Sequence, residues 1–547
     1  MLNIFFTLPR QRDILMKLLK KTPFRGRKYR MFMEVIMKRE QFGSRLGFIL
    51  VSAGCAIGLG NVWKFPYMAG KYGGAAFILV YLLFLVILGL PIIVCEFSVG
   101  RASQKSIATS YNALEPPRTK WHYARWAAIA GNYLLVMFYS MVGGWMLYYC
   151  FRMAKGEFTG VTASEVSEKY AGMLSSVPTL SFWTVLVILL SFGICSIGLQ
   201  KGVEKIMKVT MLCLLAIMVI LTIRSVTLSG SSEGLRFFLV PDFNRMVENG
   251  IGNVIFGAMS QAFFTLSIGM GGMAIFGSYL DKKRSLAGES VSIVLLDTCV
   301  ALMAGLIVIP SCFAFGVEPD AGPGLVFITL PNIFTQMAGG RIWGSLFFLF
   351  LFCAALSTIV GVFENIVSFW MDLFGWKRTK AVGINIVLIT VLSIPCILGF
   401  SVWSGFQPLG PGTNIMDLED FIVSNNILPL GSVVYLLFCT HKNGWGWKHF
   451  IQEANSGNGL KFPTKVRFYM THILPWIVVV IYLKGYYDMF HPQGTLTFVI
   501  WMLIAFGCLG FIFYISRSRK NKRTDTGRFF SACRYRFFFF LFCQSFS

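Results

Sequence analysis

Two glycine-rich interruptions stand out inside long apolar stretches of the sequence. The first reads AIGLG at Ala56–Gly60, and the second reads SIGMG at Ser267–Gly271. Because each glycine costs a helix about 1 kcal/mol relative to alanine, both segments are predicted to unwind. Unwound backbone inside a membrane offers carbonyl oxygens to a cation and amide N–H groups to an anion.

Two acidic residues, Asp297 and Glu364, also lie within apolar stretches. An acid inside a membrane is a functional candidate by default, because burying its charge is costly. No arginine lies near Asp297 in its own predicted helix, which disfavours a purely structural ion pair. Glu364 could bind a proton, a sodium ion or a backbone amide, and the sequence leaves these three alternatives open.

The elements that must position these groups are membrane helices. The chain has 547 residues, of which 55% are hydrophobic and only 14% are charged, so a soluble protein is nearly excluded. Its apolar runs of about 20 residues are each long enough to cross a bilayer. They predict an all-α integral membrane protein with about twelve spans. The predicted spans are Leu46–Gly70, Ala75–Gly100, Ala124–Phe151, Ser181–Leu199, Gly202–Leu228, Val254–Leu280, Ser290–Phe315, Ile342–Phe374, Val382–Phe400, Ile415–Cys439, Arg467–Tyr487 and Thr495–Ile515.

The distribution of basic residues predicts the orientation. Lysines and arginines concentrate in alternate loops, which places those loops and both termini in the cytoplasm. The segments before Leu46 and after Ser516 carry 16 of the 24 net positive charges. The charge therefore indicates positive-inside topology and contact with anionic lipid, rather than nucleic-acid binding. Short loops favour a bacterial inner (plasma) membrane.

The two interruptions fall in corresponding positions of the two halves, five spans apart. Broken helices so placed are typical of inverted-repeat transporters. Either glycine cluster alone would favour close helix packing instead, but the pair reverses that preference. A channel is disfavoured because no pore loop repeats. A membrane enzyme is disfavoured because the five histidines fall near loops or membrane edges and no HExxH, nucleophile-elbow or phosphate-loop motif occurs.

Two segments carry a family resemblance: RLGFILVSAGCAIGLGNVWKFPYMAGKYGG at Arg45–Gly74 and SQAFFTLSIGMGG at Ser260–Gly272. They resemble the neurotransmitter:sodium symporter family, and the resemblance runs from about Lys38 to Arg519. It implies two five-helix inverted repeats, helices 1–5 and 6–10, with helices 1 and 6 unwound. It also implies that sodium drives the transport of an amino acid into the cell by alternating access.

The resemblance also implies two sodium sites made of hard oxygen ligands. By position, the first would use the Ala56 carbonyl, the Asn61 amide oxygen, Thr265 and Asp297, and the second would use the carbonyls of Gly54, Ile57 and Ala354 with the hydroxyls of Ser357 and Thr358.

One departure from the family pattern concerns chloride. Many relatives have asparagine at the position of Asp297, and chloride-dependent ones hold the halide with a tyrosine, a glutamine and serines. Tyr81 and Gln261 match that pattern, but Ala301 offers no hydroxyl. A fixed carboxylate at Asp297 could supply the negative charge, so transport is predicted to be independent of chloride.

The substrate site follows from the same resemblance. Tyr139 would hydrogen-bond the substrate carboxylate, and a glycine at Gly58 favours an amino acid over a biogenic amine. The side chains nearby suggest a large apolar or aromatic amino acid, such as tryptophan, tyrosine or leucine. A sodium-dependent sensor built on the same scaffold is the alternative. The remaining substrate positions are Cys55, Ala56, Leu59, Gly60, Leu135, Phe264, Thr265, Ser267, Met270, Thr358 and Val362.

Two charged gates are implied on either side of that site. Lys64 and Asp420 match an outer pair, and Arg39 and Asp372, with Tyr279 nearby, match an inner pair. In the fifth helix, relatives often have a glycine, nine further residues and then a proline, and Gly202 matches the glycine. Leu212 stands in place of the proline, so inward release of sodium is predicted to use a different opening.

The two ends do not fit the family pattern. Residues 1–36 are basic and interrupted, and Met37 begins a stretch that is typical of a true start. Residues 520–547 contain a phenylalanine run that is typical of neither a loop nor an anchor. We interpret both ends as extensions that are not native to the domain at 37–519. The thirteen cysteines are scattered singly without a CxxC pair, which predicts buried thiols rather than metal ligands or disulfides.

Overall fold

The computed structural model describes residues 40–317 and 324–517. Both ends that the sequence sets apart, together with Arg39, lie outside these residues. Within the described ranges all regular secondary structure is helical, apart from one isolated bridge between Arg284 and Asn458. The predicted fold class, an all-α membrane protein, is confirmed.

Ten helices are long and apolar enough to span a membrane, and a bent pair at the start of the described chain makes an eleventh. The predicted sixth span is also present, but it is split into two short helices. The helices, numbered 1 to 12 in chain order, are Arg45–Ala56 with Gly60–Lys71, Ala75–Ser103, Trp121–Lys155, Val177–Ser196, Leu199–Val226, Ile251–Thr265 with Gly272–Ser278, Leu286–Ala314, Gly340–Phe374, Arg378–Leu398, Ile415–Thr440, Thr464–Gln493 and Thr495–Ser516.

Helices 1 and 6 break at the two glycine-rich interruptions. The two parts of helix 1 meet at an angle of 60°. In helix 6 the break spans Leu266–Gly271, and it places Ser267, Gly269 and Gly271 in the left-handed region at φ of 49°, 103° and 85°. Position 269 also has no room for a side chain, because a Cβ there would clash with the Leu428 carbonyl of helix 10. The predicted unwinding of both helices is confirmed.

Helices 3 and 8 pack against each other along their lengths and flank the two breaks. In the most apolar stretch of helix 8, 83% of residues are buried within the protein, against 17% for helix 12. Helix 8 therefore forms the centre of the bundle, while helix 12 lies at the periphery with side chains such as Leu496 and Leu503 exposed.

Short helices that the sequence analysis did not anticipate lie in the connecting segments. Thr162 caps one of them through a reciprocal hydrogen-bonded pair with Glu165, which satisfies two otherwise unpaired N–H groups. The connections after helices 3, 5 and 7 contain Ala163–Ser175, Ser231–Leu239, Phe243–Glu248 and Leu325–Gln336, and those after helices 2 and 10, on the opposite side, contain Ile107–Leu114 and Trp447–Ala454.

Candidate functional site

Three of the residues predicted for the first sodium site, Asn61, Thr265 and Asp297, meet where helices 1, 6 and 7 converge. The Thr265 hydroxyl donates to Asp297 Oδ2 at 3.0 Å, and Asn61 Nδ2 donates to the Asp297 carbonyl at 3.2 Å. All three side chains are completely buried, and Asp297 Oδ1 has no hydrogen-bond partner within the described residues. A buried carboxylate oxygen without a partner is unfavourable unless a cation or proton neutralises it. The Asp297 and Thr265 oxygens therefore fit a cation such as sodium, while the Asn61 amide oxygen accepts from the Gly58 amide at 3.4 Å.

The predicted halide position borders the same group. Gln261 Nε2 donates to the Gly60 carbonyl at 2.7 Å, while Gln261 Oε1 and the Tyr81 hydroxyl are buried without hydrogen-bond partners among the described residues. Ala301 is completely buried and adds no hydroxyl. The polar groups that match the chloride-dependent pattern are thus present on two of the three positions.

The residues predicted for the second sodium site also come together, between helices 1 and 8. The Ser357 hydroxyl donates to the carbonyls of Ile57 at 3.3 Å and Ala354 at 2.8 Å. The Thr358 hydroxyl donates to the carbonyls of Gly54 at 3.5 Å and Ile57 at 3.3 Å. Five oxygens therefore face one another across the break of helix 1. Their role as sodium ligands stays a prediction.

The backbone that follows this break lies against Tyr139 of helix 3. The Leu59 amide donates to the Tyr139 hydroxyl at 2.5 Å. A Cβ at Gly58 would clash with that hydroxyl and would lie 2.7 Å from Thr358 Oγ1, so a side chain at this position would push both hydroxyls aside. The hydroxyl and the amide are both groups that a substrate carboxylate binds.

Gly58→Ala is therefore expected to abolish substrate binding, because the added methyl displaces both the Tyr139 and the Thr358 hydroxyls. The measurement is sodium-dependent binding of a labelled substrate to the purified protein. Gly193→Ala in helix 4 is the matched control, because a Cβ there meets no atom within 4 Å. Wild-type affinity in Gly58→Ala would contradict the proposed position of the substrate.

The outer side of the site is covered by an aromatic ring and a lysine. The Phe264 ring lies close to Gly60, since a Cβ at that glycine would be 2.7 Å from the ring. Lys64 Nζ lies 3.8 Å from the centroid of the same ring, within the range of a cation–π contact. The Asp420 carboxylate accepts from the Ser424 hydroxyl at 2.6 Å and forms no ion pair with Lys64 among the described residues. The predicted outer pair is not formed in this conformation.

The residues predicted at the side-chain end of the substrate are contributed by helices 1, 3, 6 and 8. Cys55 packs against Gly361, where a Cβ would lie 2.7 Å from its sulfur. The side chains of Cys55, Ala56, Leu135, Met270 and Val362 are all buried. Ser267 lies in the break of helix 6, where its amide donates to the Phe264 carbonyl at 3.2 Å.

On the inner side, Glu364 binds a partner that the sequence analysis did not consider. Arg378, at the start of helix 9, donates to both Glu364 oxygens, at 2.7 and 2.9 Å. The Tyr279 hydroxyl, predicted to belong to the inner gate, donates to Glu364 Oε1 at 2.8 Å. The Asp372 carboxylate accepts from the Ser106 amide at 2.6 Å, and its predicted partner Arg39 lies outside the described residues.

Among the buried carboxylates that the sequence analysis missed, two hold the ends and breaks of the site helices. Glu96 of helix 2 accepts from the amides of Gly269 at 3.0 Å and Met273 at 3.2 Å, and so holds the break of helix 6. Glu204 accepts from the Gly43 amide at 2.7 Å and the Ser44 hydroxyl at 2.9 Å, and ties helix 5 to the start of helix 1. An acid inside an apolar span was the available signal for Glu96.

Helix 5 departs from regular geometry at the position that the sequence analysis noted. Its first turn is a π-helix over Leu199–Glu204, which includes Gly202. A Cβ at Gly202 would clash with the Ile194 carbonyl of helix 4. Leu212, in place of the proline, is exposed on the surface of the described chain.

The model of the sodium:neurotransmitter symporter family matches residues 39–166 and 163–517. The chain belongs to the sodium:neurotransmitter symporter family. An uncharacterized sodium-dependent transporter of Bacillus subtilis, YhdH, is 36% identical over 454 residues, which cover 82% of this chain and 98% of the relative. A sodium- and chloride-dependent taurine transporter of Bos taurus is 27% identical over 67% of this chain and 66% of its own.

A solved structure leads to the same family. The crystal structure of MhsT in complex with L-phenylalanine matches with a TM-score of 0.73 and 38% identity, over 82% of this chain and 99% of MhsT. This symporter is therefore a sodium-dependent, multi-pass membrane transporter and not an enzyme, with sodium as the coupled ion.

Proposed function

We propose that this symporter carries a neutral, large hydrophobic or aromatic L-amino acid into the cell together with sodium and without a requirement for chloride. The observation that carries the amino-acid proposal is the contact of the Leu59 amide with the Tyr139 hydroxyl beside Gly58. A substrate carboxylate can bind both groups, and the absence of a side chain at Gly58 is what allows the Tyr139 hydroxyl to lie beside the Leu59 amide. The related protein MhsT was crystallised with L-phenylalanine, which supports an aromatic substrate.

The charge at Asp297 supports independence from chloride. A sodium ion beside its unpaired Oδ1 would be neutralised by the carboxylate itself, whereas a neutral asparagine would leave the cation uncompensated in a buried site. Ala301 gives a halide no hydroxyl to bind. The Asp297 carboxylate is thus proposed to supply the negative charge that bound chloride supplies in chloride-dependent relatives.

Sodium acts in this proposal as a co-substrate that holds the break of helix 1. When bound, it would draw the Ser357 and Thr358 hydroxyl oxygens and the opposing carbonyls toward one centre, and so join helix 8 to helix 1. Lys64 and Phe264 cover the outer side, and the Glu364–Arg378 pair with Tyr279 closes the inner side. Alternating access requires the contacts of one side to open while those of the other stay closed.

The membrane placement is part of the same proposal. We place the protein in the inner (plasma) membrane with both termini in the cytoplasm, because the basic residues concentrate in alternate loops. The basic segments there are proposed to contact anionic lipid, and no nucleic-acid partner is proposed.

The test is uptake of radiolabelled tryptophan, tyrosine and leucine into proteoliposomes. We expect accumulation only with an inward sodium gradient and no change when gluconate replaces chloride at constant sodium. A fall in uptake without chloride would contradict the role of Asp297. Saturable, sodium-dependent binding without accumulation would indicate a sensor instead of a transporter.

A further inference from the structure

A buried amide at the break of helix 6 has one atom without a partner. Asn365 of helix 8 is completely buried, and its Nδ2 donates to Asn132 Oδ1 at 3.0 Å and to the Met270 carbonyl at 3.2 Å. Its Oδ1 has no hydrogen-bond partner among the described residues. Because a buried acceptor left unpaired is unfavourable, a hydrogen-bond donor is expected beside it.

The orientation of this amide follows from its neighbours. Asn132 Nδ2 donates to the carbonyls of Ala128 at 2.7 Å and Met270 at 2.9 Å, so its Oδ1 must be an acceptor. Asn365 therefore faces two acceptors, Asn132 Oδ1 and the Met270 carbonyl, and only its NH₂ group can satisfy them. Rotating the amide by 180° would place oxygen against oxygen. The free atom is thus the carbonyl oxygen of the side chain.

The two asparagines continue the substrate-facing surfaces of their helices. Asn132 lies three and seven residues before Leu135 and Tyr139 on helix 3, which is the spacing of one helix face. Asn365 lies three and seven residues after Val362 and Thr358 on helix 8. Since helix 3 runs away from the inner side and helix 8 runs toward it, both asparagines lie inward of the Tyr139 and Thr358 hydroxyls.

Seven helical residues rise about 10 Å, which is comparable to the length of an extended aromatic amino acid with its hydrogen bonds. A substrate whose carboxylate binds Tyr139 would thus direct its side chain toward Met270 and the two asparagines. The residues predicted for this end of the site were Leu135, Ser267, Met270, Thr358 and Val362, and neither asparagine was among them. In this pose the asparagine pair would form a polar end of the substrate site.

We propose that Asn365 Oδ1 accepts a hydrogen bond from a donor at the far end of the substrate side chain, so that the transporter prefers tyrosine to phenylalanine. This inference rests on the proposed function. A site that holds a buried acceptor discriminates against a substrate that lacks the donor, because the acceptor then stays unpaired. One such hydrogen bond corresponds to about a tenfold difference in affinity.

The experiment measures competition with sodium-driven uptake of labelled leucine. Tyrosine is expected to compete about tenfold better than phenylalanine and 4-fluorophenylalanine, which matches its length but has no donor. In Asn365→Leu the ratio of the tyrosine and phenylalanine inhibition constants, measured against the leucine uptake that this variant shows, is expected to fall to about one. Asn385→Leu is the matched control, because Asn385 is a buried asparagine of helix 9 that bonds Tyr133 and the Ala381 carbonyl instead. In Asn385→Leu the ratio of the tyrosine and phenylalanine inhibition constants should stay at the wild-type value.

Equal competition by the three aromatic compounds against wild-type leucine uptake would overturn the inference while leaving the proposed function intact. That result would assign Asn365 Oδ1 to a buried water. The absence of any sodium-driven uptake would overturn both. If Asn365→Leu does not fold, the ranking of tyrosine against 4-fluorophenylalanine in the wild type decides by itself. A ratio unchanged in a folded Asn365→Leu protein would show a structural role only.

Discussion

Asp297→Ala is expected to abolish sodium-driven uptake, with a fall in sodium affinity of about a hundredfold or more. The carboxylate is completely buried, its Oδ2 is held by Thr265, and its Oδ1 has no other partner among the described residues. Removing one member of a buried charge pair typically costs about 3–5 kcal/mol, and each 1.4 kcal/mol of this is about tenfold in affinity. The measurement is the sodium dependence of amino-acid binding and uptake in proteoliposomes.

The charge and the ligand geometry at Asp297 can be separated. Asp297→Asn keeps an oxygen ligand but removes the negative charge, so it should lower the affinity for sodium without removing the site. In the double variant Asp297→Asn/Ala301→Ser, we expect uptake to return only when chloride is present, because the added hydroxyl completes the set with Tyr81 and Gln261. Chloride-independent recovery would argue against charge compensation as the reason for Asp297.

A partly exposed acid outside the spanning helices provides the control for this series. Asp281 lies in the segment between helices 6 and 7, with its carboxylate 3.6 Å from Lys283 Nζ. Asp281→Ala should leave the sodium dependence unchanged, because an exposed ion pair contributes only about 0–1 kcal/mol. An Asp297→Ala protein with the sodium dependence of the wild type would remove Asp297 from the first sodium site.

Arg378→Leu is expected to destabilise the protein by about 3–5 kcal/mol, because it leaves the Glu364 carboxylate buried without its counter-ion. Glu364 is completely buried, and the side chain of Arg378 is 15% exposed. The arginine contacts both carboxylate oxygens and also donates to the Cys195 carbonyl at 3.0 Å. The measurement is the thermal unfolding of the purified protein in detergent, where a large fall in melting temperature is expected.

Removing both charges should restore most of the stability that Arg378→Leu loses. In Glu364→Gln/Arg378→Leu no buried charge is left unpaired, and Tyr279 and Ser368 can still donate to the glutamine oxygen. Replacing a whole buried ion pair is often nearly neutral, whereas breaking one is costly. Lys484→Ala is the control, since its pair with Asp488 is solvent-exposed and should be worth less than about 1 kcal/mol. Equal melting temperatures for Arg378→Leu and the double variant would show that the ion pair is not what stabilises this region.

The same pair bears on transport, because it joins helices 6, 8 and 9 on the inner side. Tyr279 follows the second part of helix 6, Glu364 lies in helix 8, and Arg378 starts helix 9. Opening the inner side requires these helices to separate, so the contacts among them must break in that state.

The features that the sequence predicted best are those that depend on the properties of each residue and its neighbours along the chain. The apolar runs predicted the spanning helices because a bilayer core accepts only hydrogen-bonded, apolar segments. The glycines of Ala56–Gly60 and Ser267–Gly271 predicted the breaks, because they lower the cost of unwinding and permit φ values that other residues avoid. Asp297 was identified because an acid inside an apolar span requires a functional or structural reason.

Partnerships between distant residues could not be predicted in this way. Glu364 was recognised as unusual from the sequence. Its partner Arg378 begins helix 9, and the arginine side chain reaches back across the turn between helices 8 and 9. The outer pair was predicted from positions that match the family, yet Lys64 lies over the Phe264 ring in this conformation. Which of two possible partners a charged side chain contacts depends on how the helices are arranged, and that arrangement changes between states.

The sequence by itself determined that this is a membrane protein of about twelve helices with two unwound segments and a buried acid, because hydropathy, glycine content and charge act locally along the chain. Only the tertiary structure decided that Glu96 holds the break of helix 6, that Glu204 ties helix 5 to helix 1, and that Asn365 keeps an unpaired oxygen. The first two contacts join residues 173 and 161 positions apart. A buried polar group is satisfied by whatever packing brings within about 3 Å of it, and that distance is a property of the folded chain.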